Sequence, residues 1–374
     1  ELFLKKKNKS WFEKKLKKNI ALHIGALPYK NINTYASRIF IYGINYKLWD
    51  KYKIKLKNVM GLKNAILMYK TDTEIENIKD ITKDLIKNEQ FESFRITAKR
   101  QDKNLHLTSH EINQIIGAEI QIYTNKSVSL KKPDINIKIE LVRGKSFVGF
   151  KQVNGYGGLP NGTSESAISL LSSGIDSPVA SFQILKRGVN VVYAHFHSAP
   201  ATNKQSIDNC KKILNVLSNF QIKSKLYIYP ILELQKIIMD QIEDKYWIIM
   251  FRRIMIRISC MLAHEIKAKA LITGENIGQV SSQTLSNIHS ISSISTLPII
   301  RPLAGHTKEE ITNIATTIGT YEYSISPHQD CCSFFLPIHP ELKSDVNKIE
   351  DLESKIHFGN LFEQIVNERK VYQT

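Results

Sequence analysis

The sequence predicts an α/β protein built from more than one domain. With 374 residues, the chain is longer than the roughly 100 to 200 residues that a single domain commonly holds. Strand-like and helix-like runs alternate along its whole length, and from Ala167 onward the order strand, helix, strand repeats in longer units. Such repeats imply a parallel sheet with helices on both faces, so we expect a parallel-sheet domain preceded by smaller α/β modules.

The first module is expected over residues 1–53. Segment Lys5–Lys18 places apolar residues at helical spacing among lysines, which predicts an amphipathic helix with one cationic face. That face fits a solvated helix surface as well as a surface that contacts RNA. Further along, Ser37–Tyr46 is rich in β-branched and aromatic residues and predicts a strand.

The second module is expected over residues 54–153, where short runs of both kinds alternate. Strands are predicted at Ala65–Tyr69, Phe94–Ala98 and Ile135–Leu141, and helices at Asp72–Asn88 and Ser109–Ile122. Residues 154–166 then concentrate Gly, Pro, Asn and Ser, which are the residues of turns and linkers. The main domain boundary is therefore predicted in this linker.

The third domain is expected over residues 167–374. Strands are predicted at Ala167–Leu171, Val189–His195 and Lys225–Ile231, and helices at Pro178–Lys186 and Gln205–Leu217. In an open parallel sheet, ligands bind outside the carboxyl ends of the strands. The segments that follow these strands are therefore the first candidates for a functional site.

The composition favours a polyanionic partner. Lys plus Arg number 52 and Asp plus Glu number 35, which gives a formal net charge of +17, and a field of that sign attracts nucleic acid. An acidic membrane surface or a general excess of lysine explains the charge equally well. No run approaches the roughly 18 to 20 apolar residues of a membrane-spanning helix, so we expect a cytoplasmic protein without a membrane partner.

The four cysteines do not form a recognisable framework. They are too few and too scattered for a set of disulfides, and their spacing does not match a four-ligand zinc site. Cys210 and Cys260 lie within helical patterns and are expected in the core. No metal site is predicted from these residues.

The strongest functional signal lies directly after the strand that ends at Leu171. There the run Ser172–Ser177 reads SSGIDS and is followed by a helix. A turn of this kind exposes backbone N–H groups at a helix N-terminus, which is a ready site for an anion such as pyrophosphate. The run lacks the lysine of a Walker loop and the glycine pattern of a dinucleotide site. Taken by itself, it also fits a polar helix cap.

This run resembles the S-G-G-x-D-S signature of the PP-loop ATP pyrophosphatases, which adenylate a carbonyl oxygen and release pyrophosphate. Ser173 stands at the second position, where that family has glycine. If the position requires a positive φ, a serine there costs about 1 kcal/mol. Reduced or altered turnover is therefore an expectation for this chain.

The resemblance extends over nearly the whole chain. The other matching segments are, in order, ELFLKKKNKSWFE (1–13), ITAKRQDKNLHLTSHE (96–111), NGYGGLP (154–160), HFHSAP (195–200), TGENIGQVSSQT (273–284), RPLAGHTK (301–308) and DCCSFFLP (330–337). By these segments the chain resembles the 4-thiouridine synthetases of the short type. The resemblance implies an N-terminal ferredoxin-like module, a THUMP RNA-binding domain and a Rossmann-like PP-loop ATP pyrophosphatase domain.

The resemblance implies three catalytic residues. Asp176 is expected to position Mg²⁺ or phosphate, Lys308 to stabilise charge on the α-phosphate, and Cys331 to handle sulfur as a persulfide. Each residue also has an ordinary interpretation. Asp176 fits a helix N-cap, Lys308 fits a surface lysine, and Cys331 with Cys332 fits a pair of buried cysteines.

The resemblance also implies a site for ATP, with Mg²⁺ as its accompanying ion. The expected ATP-binding residues are Leu170, Leu171, Ser172, Ser173, Gly174, Ser177, His195, Phe196, Arg252, Gly274 and Gln283. Without the resemblance, the two leucines and Phe196 are ordinary core residues, whereas Arg252 and Gln283 are ordinary surface residues.

The implied partner is tRNA. The expected RNA contacts are Lys5, Lys7, Lys9, Lys99, Arg100 and Lys103. Proteins recognise RNA helices largely by shape and backbone, so the affinity is expected to fall as salt rises.

The long members of the family append a rhodanese domain that carries a persulfide cysteine, and no room for one remains after the DCC segment. A cysteine desulfurase is therefore expected to supply the sulfur, and a homodimer is expected.

The function that the resemblance implies is ATP-dependent thiolation of the uridine at position 8 of tRNA through an adenylated uridine, with a second role in supplying thiazole sulfur for thiamine. Two alternatives stay open. One is a PP-loop synthetase that acts on a small metabolite, although the basic N-terminal modules argue against it. The other is a catalytically decayed tRNA-binding protein, for which Ser173 is the direct indication.

Overall fold

The structure is a computed structural model that describes residues 8–35, 37–101, 107–326 and 335–374. By the density of its internal contacts, the chain divides into two compact units. The smaller unit is Lys17–Gly157, and the larger unit combines Glu1–Leu16 with Gly158–Thr374. The finer division at 53/54 and 153/154, with its linker, stays a prediction.

Helices and strands alternate through residue 157. In chain order they are α1 (Lys9–Ile24), β1 (Asn31–Tyr35), β2 (Arg38–Tyr42), α2 (Trp49–Lys57), β3 (Asn64–Ile66), β4 (Tyr69–Thr71), α3 (Ile75–Ile86), β5 (Ser93–Arg100), α4 (Ser109–Thr124), β6 (Ser127–Val128), β7 (Ile135–Val142), β8 (Lys145–Gly149) and β9 (Gln152–Asn154). The helices predicted at Asp72–Asn88 and Ser109–Ile122 are α3 and α4, with small shifts at their ends. The strands predicted at Phe94–Ala98 and Ile135–Leu141 are β5 and β7.

The main sheet of the smaller unit has the strand order β4, β8, β7, β5, β6. Strand β5 runs parallel to β7 and β6, and β8 runs antiparallel to β7 and β4. Side chains along β5 alternate between buried and more exposed positions, as a strand with one covered face requires. The covered face joins α3 and α4 in a core that includes Phe94, Ile116 and Ile137.

Two strands predicted in this unit differ from the structure. Segment Ala65–Tyr69 is not one strand, because its ends belong to β3 and β4, which lie in different sheets. The strand predicted at Ser37–Tyr46 is shortened to β2, which pairs with the unpredicted β1. It ends because Gly43 takes a positive φ of 68°. The side chain of Asn45 then accepts a hydrogen bond from the N–H of Lys47 at 3.0 Å and starts a short 3₁₀ turn.

The first helix also differs from its prediction at Lys5–Lys18. Helix α1 begins at Lys9 and continues to Ile24, because buried apolar side chains recur at helical spacing past the predicted end. These buried residues are Phe12, Leu16, Ile20 and Ile24.

The elements after residue 157 are longer. In chain order they are β10 (Ser166–Leu170), α5 (Asp176–Leu185), β11 (Asn190–His197), α6 (Gln205–Leu217), β12 (Lys225–Pro230), α7 (Leu232–Gln241), α8 (Trp247–Ile266), β13 (Ala270–Ile272), α9 (Leu285–Ser292), β14 (Ile299–Ile300), α10 (Lys308–Ile318), α11 (Tyr321–Ser324), α12 (Val346–Ser354), α13 (Leu361–Glu368) and β15 (Lys370–Gln373). The strands and helices predicted between Ala167 and Ile231 are confirmed as β10 to β12, α5 and α6.

The larger unit is built on a six-stranded sheet with the order β14, β13, β10, β11, β12, β15. Five neighbouring strands run parallel, and β15 adds an antiparallel edge that the sequence pattern did not predict. Helix α8 contributes many side chains to the main core, including fully buried Phe251 and Ile258. Because β10, β11 and β13 are adjacent and parallel, the segments that follow them lie together at one edge of the sheet. The predicted α/β class is confirmed.

Over the residues that the structure describes, none of the helices is both long enough and apolar enough to cross a bilayer.

Candidate active site

The turn between β10 and α5 is held closed by its own serines. The side-chain oxygen of Ser177 accepts a hydrogen bond from the N–H of Ser172 at 2.8 Å and lies 3.1 Å from the Oγ of Ser172. The N–H of Gly174 donates to the same Oγ at 3.3 Å. The first turn of α5 is thereby fixed at the carboxyl end of β10. The N–H groups of Asp176 and Ser177 at this helix N-terminus and the positive end of the helix dipole make this place attractive to an anion.

Ser173 sits in this turn without the expected strain. The residue is fully buried, and neither Ser173 nor Gly174 is among the residues with a positive φ. A serine with ordinary backbone angles bears no left-handed penalty. The steric cost that the sequence suggested for this departure from the S-G-G-x-D-S signature is therefore absent.

Asp176 is the first residue of α5, and the N-cap of this helix is Ile175. The interpretation of Asp176 as the helix cap is therefore wrong. Its carboxylate faces two other side chains instead. Oδ1 accepts a hydrogen bond from the Nζ of Lys308 at 2.8 Å, and Oδ2 lies 3.4 Å from the Nε2 of Gln279.

Lys308 reaches Asp176 from the start of α10. A capping box fixes this helix end. The Oγ1 of Thr307 accepts a hydrogen bond from the N–H of Glu310 at 3.2 Å, and the Glu310 carboxylate accepts one from the N–H of Thr307 at 2.8 Å. The side chains of Lys308 and Asp176 are 50% and 23% exposed. An ion pair this exposed contributes little to stability. Both groups therefore stay accessible to a ligand.

Gly274 follows β13 and touches the backbone of α5. A Cβ placed on Gly274 would lie 2.7 Å from the backbone nitrogen of Ser177 and 2.8 Å from the carbonyl carbon of Asp176. No side chain fits at such distances from rigid backbone. Glycine is thus required here by close approach rather than by its backbone angles.

Glu275, the next residue, is 4% exposed and lies between two arginines. Its Oε1 is 2.9 Å from Nη1 of Arg252, and its Oε2 is 2.6 Å from Nε of Arg301. Thr273 donates to Oε2 at 2.9 Å. Burial alone raises the pKa of Glu275, but the two guanidinium charges and their hydrogen bonds outweigh it, and the net pKa lies below the ordinary value. A buried carboxylate thus fixes Arg252 at the site.

These groups border a cavity of about 270 Å³ at the carboxyl edge of the sheet. Every residue predicted to bind ATP lines this cavity except Ser173, and Asp176 lines it as well. The remaining lining residues, which sequence reasoning missed, are Met255, Ile256, Thr273, Glu275 and Ile291. Thr273 and Glu275 could have been found, because they lie in the TGEN run next to Gly274. Met255 and Ile256 follow Arg252 by one helical turn.

His195 and Phe196 form the wall of the cavity that comes from the end of β11. His195 is buried, with its Nδ1 2.9 Å from the carbonyl oxygen of Leu171 and 3.3 Å from the sulfur of Cys210. Phe196 stacks on Tyr229 with ring centroids 5.5 Å apart. Gln283 is also buried, so its interpretation as a surface residue is wrong.

The predictions for cysteine have two outcomes. Cys210 and Cys260 are buried, as predicted. Cys331 and Cys332 lie outside the described residues. Within the part of the chain that is described, no cluster of His, Cys, Asp and Glu could hold a metal ion.

The residues predicted to contact RNA fall into three groups. Lys5, Lys7 and Lys103 lie outside the described residues. Lys9 lies 3.7 Å from Glu13 on α1. Lys99 and Arg100 end β5, where Lys99 is exposed and a guanidinium nitrogen of Arg100 donates to the carbonyl of Leu107 at 2.9 Å.

Lys99 belongs to a positively charged sheet face. Alternation along the strands puts Arg95 and Lys99 of β5 on the face away from the buried core, and Lys138 of β7 is paired with the residue between them. Partial burial, and then the charge of Lys99, lower the pKa of Lys138. These three side chains give the face an excess of positive charge, which Glu140 of β7, in register with Lys99, offsets in part.

We expect Gly274→Ala to destabilise the protein by about 1 to 3 kcal/mol, because the new methyl group overlaps backbone of α5 that cannot move aside. Gly305→Ala is the matched control, since a Cβ there meets nothing within 4 Å. Thermal unfolding of both variants checks this. Equal stability of the two variants would contradict the close approach.

We expect Glu275→Gln to lower the free energy of unfolding at neutral pH by about 3 kcal/mol, because two guanidinium groups lose their buried partner. The folded protein holds the pKa of Glu275 below its unfolded value. Its contribution is therefore complete above the unfolded pKa and is lost as the pH falls through the folded pKa.

Chemical denaturation as a function of pH tests the pH dependence of the Glu275 contribution. The difference between wild type and Glu275→Gln should shrink on acidification below about pH 4.3. Exposed Glu368 on α13 provides the control substitution Glu368→Gln, which should leave the free energy of unfolding at neutral pH close to that of the wild type. A difference that stays constant down to the acid transition would contradict the assigned charge state.

Three family models match the chain in sequence order. The model described as ThiI ferredoxin-like domain matches residues 1–65, the THUMP domain matches residues 72–150, and the model described as Thiamine biosynthesis protein (ThiI) matches residues 162–358. The predicted resemblance is thereby confirmed, together with the ferredoxin-like and THUMP modules of the predicted fold.

Relatives match along almost the whole chain. A probable tRNA sulfurtransferase of Thermus thermophilus is 34% identical over 99% of this chain and 91% of its own length, and one of Lysinibacillus sphaericus is 33% identical over 100% and 93%. Among solved structures, a 4-thiouridine synthetase in complex with RNA and bound ATP matches with a TM-score of 0.88 and 36% identity, over 98% of this chain and 95% of that one. With all three modules matched in order, the chain belongs to the tRNA sulfurtransferase family and is an enzyme of that family.

Proposed function

We propose that the protein uses ATP to transfer sulfur to the uridine at position 8 of tRNA, and that it forms 4-thiouridine through an adenylated uridine. One observation carries the proposal. Asp176 and Lys308 form an ion pair at 2.8 Å at the N-terminal end of α5, next to a cavity whose lining includes Asp176. A carboxylate and an ammonium group at a helix N-terminus suit the activation of a phosphate.

The cavity has the features that a nucleoside triphosphate requires. The N-terminus of α5 offers N–H groups to phosphates, and Gly274 keeps that approach free of a side chain. Arg252 lines the cavity, and Glu275 holds one of its guanidinium nitrogens at 2.9 Å. A guanidinium fixed beside the cavity suits an anion. Apolar lining from Leu170, Phe196 and Ile291 suits an adenine ring.

In the proposed reaction, the O4 atom of uridine attacks the α-phosphorus of ATP and pyrophosphate leaves. The ammonium group of Lys308 stabilises the negative charge that develops on the α-phosphate. The terminal sulfur of the persulfide then attacks C4 of the adenylated base, and AMP leaves with the former O4. A second thiol attacks the cysteine sulfur of the resulting C4–S–S–Cys linkage, which releases 4-thiouridine and leaves a disulfide, and an external thiol such as cysteine reduces that disulfide.

Mg²⁺ is proposed to enter with ATP. This ion commonly binds one or two carboxylates together with substrate phosphates and water, and does not need a cage of protein ligands. Asp176 is the carboxylate that lines the cavity beside the N-terminus of α5, so it is the proposed protein ligand.

The proposed sulfur source is the persulfide of a cysteine desulfurase, with Cys331 as the thiol that relays or resolves it. Supply of thiazole sulfur for thiamine is a further proposed role. The sequence resemblance alone supports this role, and it alone supports the proposed homodimer.

The proposed RNA partner is tRNA. Its support is the net charge of +17, the positive sheet face around Lys99, and a relative of known structure that binds RNA.

We expect Asp176→Asn to reduce tRNA-dependent pyrophosphate release and 4-thiouridine formation by at least about a hundredfold, because the metal and phosphate lose their carboxylate. Binding of tRNA should persist. The assay combines ATP, Mg²⁺, a cysteine desulfurase, cysteine and unmodified tRNA, and detects 4-thiouridine by its near-ultraviolet absorbance or by mass.

The matched control for this substitution is Asp351→Asn. Asp351 also forms an exposed pair with a lysine, Lys355, at 2.6 Å, but it lies on α12 and does not line the cavity. This variant should keep full activity. Loss of tRNA binding in Asp176→Asn, or retention of its turnover, would contradict the proposed role of Asp176.

We expect Cys331→Ser to keep tRNA-dependent pyrophosphate release and to lose sulfur incorporation, because the thiol acts after adenylation. Measuring pyrophosphate and 4-thiouridine in the same reaction separates the two steps. Full 4-thiouridine formation by this variant would discard the relay and leave the adenylation proposal intact.

A further inference from the structure

The segment between β13 and α9 forms a loop with a fixed base. The N–H of Asn276 donates to the Oε1 of Gln283 at 3.2 Å, and the N–H of Gly278 donates to the carbonyl of Gln283 at 2.9 Å. The N–H of Ile277 donates to the carbonyl of Ala304 at 3.2 Å. Because Gln283 is buried and lines the cavity, the loop is tied to the same scaffold as the site.

The tip of this loop is exposed and partly apolar. Residues 277–280 are all exposed, and the side chains of Ile277 and Val280 are each 49% exposed. Single exposed apolar residues are common on protein surfaces. Two of them on one short loop with a fixed base, beside the cavity that Asp176 lines, form a small apolar surface that a flat ligand can cover.

Gln279 lies between these two apolar residues and indicates the ligand. Its Nε2 is 3.4 Å from Oδ2 of Asp176, while Nζ of Lys308 is 2.8 Å from Oδ1 of the same carboxylate. The carboxamide and the ammonium group of Lys308 therefore contact the two oxygens of the carboxylate that the proposed function assigns to activation of the uridine. A separation of 3.4 Å is longer than a strong hydrogen bond, so Gln279 can leave Asp176 at little cost.

We propose that the loop Ile277–Val280 binds the uracil base that is modified. In this site the carboxamide of Gln279 pairs with the imide edge of uracil, and Ile277 and Val280 cover the face of the ring. The inference rests on the proposed function and adds to it the residues that recognise the base.

The chemistry of uracil matches this loop. A base that undergoes reaction must leave its stack, and it then needs an apolar surface for its ring and polar partners for its edge. A carboxamide offers one acceptor and two donors. It can accept from N3–H of uracil and donate to the O2 carbonyl oxygen in a two-bond pair, which leaves O4 free. The O4 side of the base then lies toward Asp176 and Lys308, where adenylation is proposed.

Two substitutions test the proposal. Gln279→Ala and Val280→Ser should each reduce kcat/KM for tRNA in tRNA-dependent pyrophosphate release by about tenfold, with the affinities for ATP and for whole tRNA unchanged. The matched controls are Gln364→Ala, on the exposed side of α13, and Val371→Ser, on β15, where the valine is 53% exposed. Both controls should retain wild-type kcat/KM.

The outcomes are distinguishable because pyrophosphate release precedes sulfur transfer. Normal pyrophosphate release by both loop variants would overturn the inference and leave the proposed function standing. Normal release with reduced 4-thiouridine would assign the loop to the sulfur donor and would also overturn it. A loss of ATP affinity equal to the loss of kcat/KM would show that the loop acts through the nucleotide cavity. If wild type itself released no pyrophosphate with tRNA, both proposals would fail.

Discussion

The backbone contact between Gly274 and the first turn of α5 is the constraint on which the site depends. Two parallel strands, β10 and β13, are neighbours in the sheet, so the segments that leave them emerge side by side. A Cβ on Gly274 would lie 2.7 Å from the backbone nitrogen of Ser177, so only a glycine permits this close approach. That approach puts the TGEN segment against the helix N-terminus and so brings Glu275, Arg252 and the Gln279 loop to the same edge as Asp176.

The site uses two kinds of ion pair. Glu275 is buried, and its pairs with Arg252 and Arg301 replace the water that burial removed, so this network fixes positions. Asp176 and Lys308 are more exposed, and water screens their attraction. Because little stability is lost when the exposed pair separates, its two charges can turn to a bound phosphate and metal while the buried network keeps the framework in place.

The sequence predicted the framework better than the details. The SSGIDS turn, the parallel strands from Ala167 onward and eleven of the sixteen residues that line the cavity followed from the strand-turn-helix pattern and from the family resemblance. Edge strand β15 and the split of segment Ala65–Tyr69 into β3 and β4 did not, because strand pairing depends on partners far along the chain. The TGEN run offered Glu275 as a neighbour of Gly274, but the run did not reveal its place between two arginines, because Arg252 and Arg301 lie far from it along the chain.

The most direct test of the central claim is a structure of the protein with a non-hydrolysable ATP analogue and Mg²⁺. The account predicts that the phosphates lie at the first turn of α5, within hydrogen-bond distance of its N–H groups and of Arg252, with the metal beside Asp176 and adenine against Phe196. A triphosphate bound elsewhere, with the Ser172–Ser177 turn closed to it, would contradict the account.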